Sequence, residues 1–158
     1  MRSSDKKSDV LTNSHDRQIF DSKHDKILMW LFESLNSDEV FLKSILGLAP
    51  DFKIYHVEKK IECPITKLDY AFKNRVMGFA DMAIYAYEEA NGNPCSIVYI
   101  EVKSSVNIGE TIRQINYYKS FQGPGARWLV CAPKFKGSEI LLSQKIGFIE
   151  YDYEEPLY

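Results

Sequence analysis

The chain has 158 residues, a formal charge of −2, and 45% hydrophobic and 13% aromatic residues. That is enough for one domain with a substantial core, and the near-neutral balance excludes a uniformly basic nucleic-acid binder while leaving room for a local basic patch. Cys63, Cys95 and Cys131 are odd in number, far apart and without C-x-x-C spacing; this excludes a disulfide framework and a cysteine-held zinc or iron–sulfur centre, and the three read as buried thiols in a reducing compartment.

The opening MRSSDKKSDVLTNSHDRQ carries charges where a signal peptide needs its apolar segment. No run reaches the roughly 18 apolar residues of a membrane span. Residues 1–20 therefore read as a flexible polar arm, residues 21–158 as a single domain, and the cytoplasm as its location. Behind Asp21 or Ser22 as a cap, Ile27, Leu28, Leu31 and Leu35 recur at helical spacing. A shorter helix, SDEVFLKSILG, follows Ser37 and stops at Gly47, with Pro50 just beyond. DFKIYHVEKKIECPI reads as a strand ending at Pro64, and RVMGFADMAIYAY and CSIVYIEVKSS flank the turn signal NGNP as a hairpin. The period then changes: IGETIRQINYYKSF is a helix, ARWLVCAP a short buried strand, GSEILLSQKI a helix and GFIEYD a last strand.

Strands joined first by hairpins and later by helices predict an α/β fold, a mixed β-sheet flanked by helices in the order αα-βββ-α-β-α-β. Along the third strand Ile97 and Tyr99 take one face, and Ser96, Val98, Ile100 and Val102 the other. Both faces are apolar, as in a central strand. Glu101 and Lys103 share the face of Ile97 and Tyr99 at that strand's end. Antiparallel pairing about the turn gives partner numbers summing to about 182 to 185, which sets Asp81 opposite residues 101 to 104. Two carboxylates and one ammonium then converge at a sheet edge, where a divalent cation would offset the repulsion between the acids.

Asp81 on one strand and EVK at 101–103 on its hairpin partner resemble the PD-(D/E)xK nuclease superfamily, whose restriction-endonuclease-like core has the same expected element order over about residues 22–152. Ala80 stands where the signature has proline, its loosest position. Gln114 and Tyr118 in QINYY match the Q-x-x-x-Y spacing of the branch that includes RecB and lambda exonuclease, without the four cysteines with which some members hold an iron–sulfur cluster. The resemblance implies a catalytic set of Asp81, Glu101 and Lys103. It implies Mg2+, replaceable by Mn2+, held by both carboxylates and the Val102 carbonyl, and Arg113, Gln114 and Tyr118 as substrate-binding residues. An upstream acid, Glu33, Glu58 or Glu62, would complete the metal site. His15, His24 and His56 show no ligand spacing and read as structural or surface residues.

Phosphodiester hydrolysis needs an activated water, neutralised charge on the phosphorus and a stabilised leaving oxygen, all within reach of a hard cation. Lys103 would orient or deprotonate the water, either as base or as electrostatic clamp. Of Tyr117 and Tyr118, one would pack in the core and the other could stack on a base. The expected activity is Mg-dependent hydrolysis of DNA in repair, recombination, restriction or a mobile element, with RNA the less favoured substrate and a homodimer compatible with cutting two strands. The alternative is an inactive module of the same fold that binds nucleic acid or a protein. Removing either acid is expected to leave the fold intact or slightly stabilised by relieving repulsion.

Overall fold

The computed structural model describes residues 22–152. The expected arm, with His15, and the cap residue Asp21 lie outside the described residues. Helices α1 (Ser22–Ser37) and α2 (Glu39–Leu46) lead into strands β1 (His56–Leu68), β2 (Asn74–Tyr87) and β3 (Ser96–Val102). Helix α3 (Ile108–Lys119), strand β4 (Ala126–Pro133), helix α4 (Glu139–Ser143) and strand β5 (Gly147–Tyr151) complete the chain. The sheet runs in the order β1-β2-β3-β4-β5. Its first two pairings are antiparallel and its last two parallel. This is the mixed sheet expected from the change of period along the chain.

Each face of the sheet carries its own core. Ile27, Leu31 and Leu35 of α1 and Ile45 of α2 pack with Met82, Ile84, Val98, Ile100 and Val102. On the opposite face Ile115 and Tyr118 of α3 and Leu141 of α4 pack with Tyr99, Trp128 and Val130. The alternation along β3 is thus satisfied on both sides. Helix α2 follows Ser37 as expected: Asp38 caps it, its side chain accepting the Phe41 N–H, and it ends at Gly47 in the left-handed conformation. Among the described residues no helix is long and apolar enough to cross a membrane.

Two expectations are corrected. Strand β1 does not end at Pro64 but runs through it to Leu68. It pairs with β2 alone, and an edge strand tolerates a residue without an N–H. Cys95 is exposed beside the β2–β3 loop, whereas Cys63 and Cys131 are buried, and burial pushes the Cys131 thiol up to about 12.

The long β1–β2 ribbon extends past the pairing of β2 with β3. Strand β2 pairs with β3 only from Met82 to Ala86, while its earlier residues pair with β1 alone. A register shift between Ile65 and Thr66 bends this free part, and Gly78 comes to lie against the ring of Tyr118. A Cβ at Gly78 would stand 2.5 Å from the Tyr118 hydroxyl and from its ring. That ring is buried and cannot give way freely. Gly78→Ala should therefore cost about 1–3 kcal/mol through overpacking. A denaturation midpoint equal to wild type would show that the ribbon does not rest on this contact.

Candidate active site

The hairpin register sums to 182, so Asp81 and Glu101 are the next pair after Met82 and Ile100, yet the ladder stops before them. They stand where β2 parts from β3, and each carboxylate takes a backbone N–H that the ladder no longer satisfies. Val102 N–H donates to Asp81 Oδ2 at 2.8 Å, and Asp81 N–H donates to Glu101 Oε1 at 3.3 Å. Two strands are pinned at their fork by two acids. The acids are 2% and 0% exposed, respectively. Burial of adjacent carboxylates is costly unless hydrogen bonds or a cation offset it.

On the far side of β3 the pairing with β4 continues, and Lys103 N–H donates to the Cys131 carbonyl at 2.9 Å. The site thus lies at the carboxyl end of β3, next to a parallel neighbour, the usual place for ligands in open α/β sheets. The half-buried Lys103 reaches α3, where its Nζ donates to Gln114 Oε1 at 2.9 Å. Gln114 Nε2 lies 3.5 Å from the Tyr118 hydroxyl, a long contact. Tyr118 is buried against Trp128, which stacks in turn on Tyr99. Its ring packs in the core, with the hydroxyl towards Gln114. Tyr117 is half exposed, and Arg113 lies exposed on the same helix.

His24 was not expected here. It is buried on α1, with Nε2 3.4 Å from Asp81 Oδ1 and Nδ1 3.3 Å from Asp25 Oδ1. One helical turn separates it from Leu28, which faces the core, so the apolar spacing of α1 could have placed it inward; the absence of a partner motif hid it. Of the upstream acids, Glu33 and Glu58 are exposed. Glu62 lies between the residues paired with Met82 and Ala80, level with Asp81, and has a left-handed φ of 54°. A non-glycine residue in that region within a strand is uncommon and marks an overdetermined position. His56 is exposed and lies against the Tyr87 ring.

The donor set suits a hard divalent cation in kind, with two carboxylates and the Val102 carbonyl, which leaves β3 on the same edge as the N–H bound to Asp81. Among the described residues, no three His, Cys, Asp or Glu side chains are grouped as a ready coordination shell. Nearby, burial raises the phenols of Tyr85 and Tyr99 above their ordinary values, which leaves both neutral and unsuited as bases.

The Asp81–Val102 hydrogen bond changes the expected cost of removing the acid. Asp81→Asn keeps an acceptor for the Val102 N–H and removes one of two adjacent buried charges. Asp81→Ala leaves that N–H unsatisfied, worth about 1–3 kcal/mol. Chemical denaturation without divalent metal should rank Asn above Ala, and equal midpoints would show that the bond adds no stability.

No family model matches the chain, and no match is found among curated proteins or among solved structures. The functional reading rests on the fork's own geometry.

Proposed function

We propose that this chain is a metal-dependent deoxyribonuclease with a restriction-endonuclease-like core, acting in the cytoplasm on phosphodiester bonds of DNA. One observation carries the reading: Asp81 and Glu101 are buried and adjacent at the end of the β2–β3 ladder, and Lys103, two residues along the chain from Glu101, is held by Gln114 from the neighbouring helix. Two adjacent buried acids are costly as mere scaffolding and are suited to holding a metal and a phosphate.

Asp81, Glu101 and the Val102 carbonyl would hold Mg2+ or Mn2+, with the His24 imidazole against Asp81 on the opposite side as its neighbour. When bound, the cation supplies Lewis-acid stabilisation of charge on the phosphate and favours ionisation of water. The chain's own residues do the rest. Gln114 fixes the Lys103 ammonium through its side-chain oxygen, so the lysine loses little freedom when it meets the scissile phosphate or the attacking water. Tyr118, braced by Trp128, fixes Gln114 in turn. Arg113, exposed on the same helix, is available to a backbone phosphate further along the strand.

A second reading has its own support. The reciprocal hydrogen bonds give Asp81 and Glu101 a structural task that needs no metal, as an inactive nucleic-acid or protein-binding module of this fold would require. Cleavage of linear, circular, single-stranded and branched DNA, and of RNA, with Mg2+ or Mn2+ and with chelator, separates the two. The nuclease should cut only with metal. Lys103→Ala should bind substrate as wild type does and lose at least about 100-fold in single-turnover rate, whereas Gln114→Ala should lose less, on the order of 10-fold. Persistent binding with every substrate intact under all metals would establish the module.

A further inference from the structure

The turn that closes the β1–β2 ribbon presents Tyr70 fully exposed and Phe72 nearly so. The turn is built, not loose. Asp69 Oδ1 accepts the N–H groups of Ala71 and Lys73 at 2.9 Å each, Asp69 N–H donates to the Lys73 carbonyl, and Phe72 N–H donates to the Asp69 carbonyl. Phe72 is held at a φ of 60°, a region bulky residues avoid. Two aromatic side chains thus stand in water on a hydrogen-bonded turn, and among the described residues nothing packs over them.

Their surroundings are cationic. Lys67, Lys73 and Arg75 flank the turn, and the only acid from residue 67 to 76 is Asp69, whose carboxylate is already engaged by the turn. The base of this segment reaches the residues just after α3, where Lys67 Nζ sits 5.8 Å from the centre of the Phe121 ring. Along β2 the turn is seven residues from Asp81 (81 minus 74, the first residue of the strand). At about 3.3 Å per residue that contour is some 23 Å, the length of about seven stacked nucleotides of one strand.

We propose that the β1–β2 turn is a single-strand-binding tip, in which Tyr70 and Phe72 stack on unpaired bases while Lys67, Lys73 and Arg75 take the flanking phosphates. The proposal rests on the reading of the fork as a nucleic-acid site, and it assigns the substrate a single-stranded segment within about seven nucleotides of the bond to be cut. Rings that accept any base and cations that take any phosphate give affinity without sequence preference. A second copy is disfavoured as the occupant, since the exposed edge of β1 carries Pro64, Lys60 and Lys67, which oppose pairing with another strand.

Tyr70→Ser/Phe72→Ser and, separately, Phe72→Gly, which suits the left-handed backbone, test it in the full chain with chelator present. Fluorescence anisotropy with a labelled single-stranded oligonucleotide should show affinity reduced about 10- to 100-fold in the double variant, with a smaller loss on blunt duplex. Thermal midpoints should be unchanged, because neither ring belongs to the core. A 2-aminopurine in the strand should be quenched by wild type and not by the double variant. Reduced binding in a chain that cleaves nothing with any metal would leave the tip assigned and remove the nuclease. Unchanged oligonucleotide binding and quenching would overturn the tip whether or not the chain cleaves. A tip-dependent change in oligomeric state, or tip-dependent sedimentation with phosphatidylserine vesicles, each with oligonucleotide binding unaffected, would overturn it in favour of a second copy or a membrane.

Discussion

The constraint on which the structure turns is the exchange of backbone hydrogen bonds between Asp81 and the end of β3. A sheet that divides must leave N–H groups without ladder partners at the point of division, and a buried unpaired N–H is costly. Here the Asp81 carboxylate takes the Val102 N–H and the Glu101 carboxylate takes the Asp81 N–H. The fork is closed by side chains with charge to spare. The same solution that lets β2 leave β3 concentrates two buried acids in a sheet that carries an apolar cluster on each face. On the proposed reading, stability and cation binding share one pair of residues.

The rest of the site is a consequence of that division. Freed of β3, the β1–β2 ribbon bends at its register shift and comes to rest on α3, where only a glycine at 78 admits the Tyr118 ring. Tyr118 lies over Trp128, and Trp128 over Tyr99 of β3, so an aromatic stack ties the helix to the strand that carries Glu101. On that support Gln114 meets Lys103. Helix α1 closes the opposite side with His24 against Asp81. Four elements reach the fork, and the aromatic packing fixes the distance between the helix and the acids.

Much of this was legible in the chain. Apolar residues on both faces of β3 marked it as central, and counting about the NGNP turn set Asp81 opposite residues 101 to 104, a range that includes Glu101. What could not be counted was the fork itself, because pairing arithmetic continues through a ladder whether or not the strands remain together. Pro64 looked like an end and is a passage, since only the sheet order reveals that β1 is an edge. Cys95 looked buried because free thiols usually are, but it borders an exposed loop. His24 was hidden because it reaches Asp81 across tertiary space from another element. Glu62 was one of three upstream candidates, but the left-handed backbone that sets it apart is one that no residue type announces.

The central claim is that the paired acids at the fork exist to hold a divalent cation. Anomalous diffraction from crystals soaked in Mn2+ tests it most directly, because the signal locates the ion without reference to activity. A peak in contact with both Asp81 and Glu101, absent from crystals of Glu101→Gln, is the expected result. Density elsewhere or none at all, with the Val102 and Asp81 hydrogen bonds intact in the soaked crystals, would contradict the claim and leave the acids as the clasp of a divided sheet.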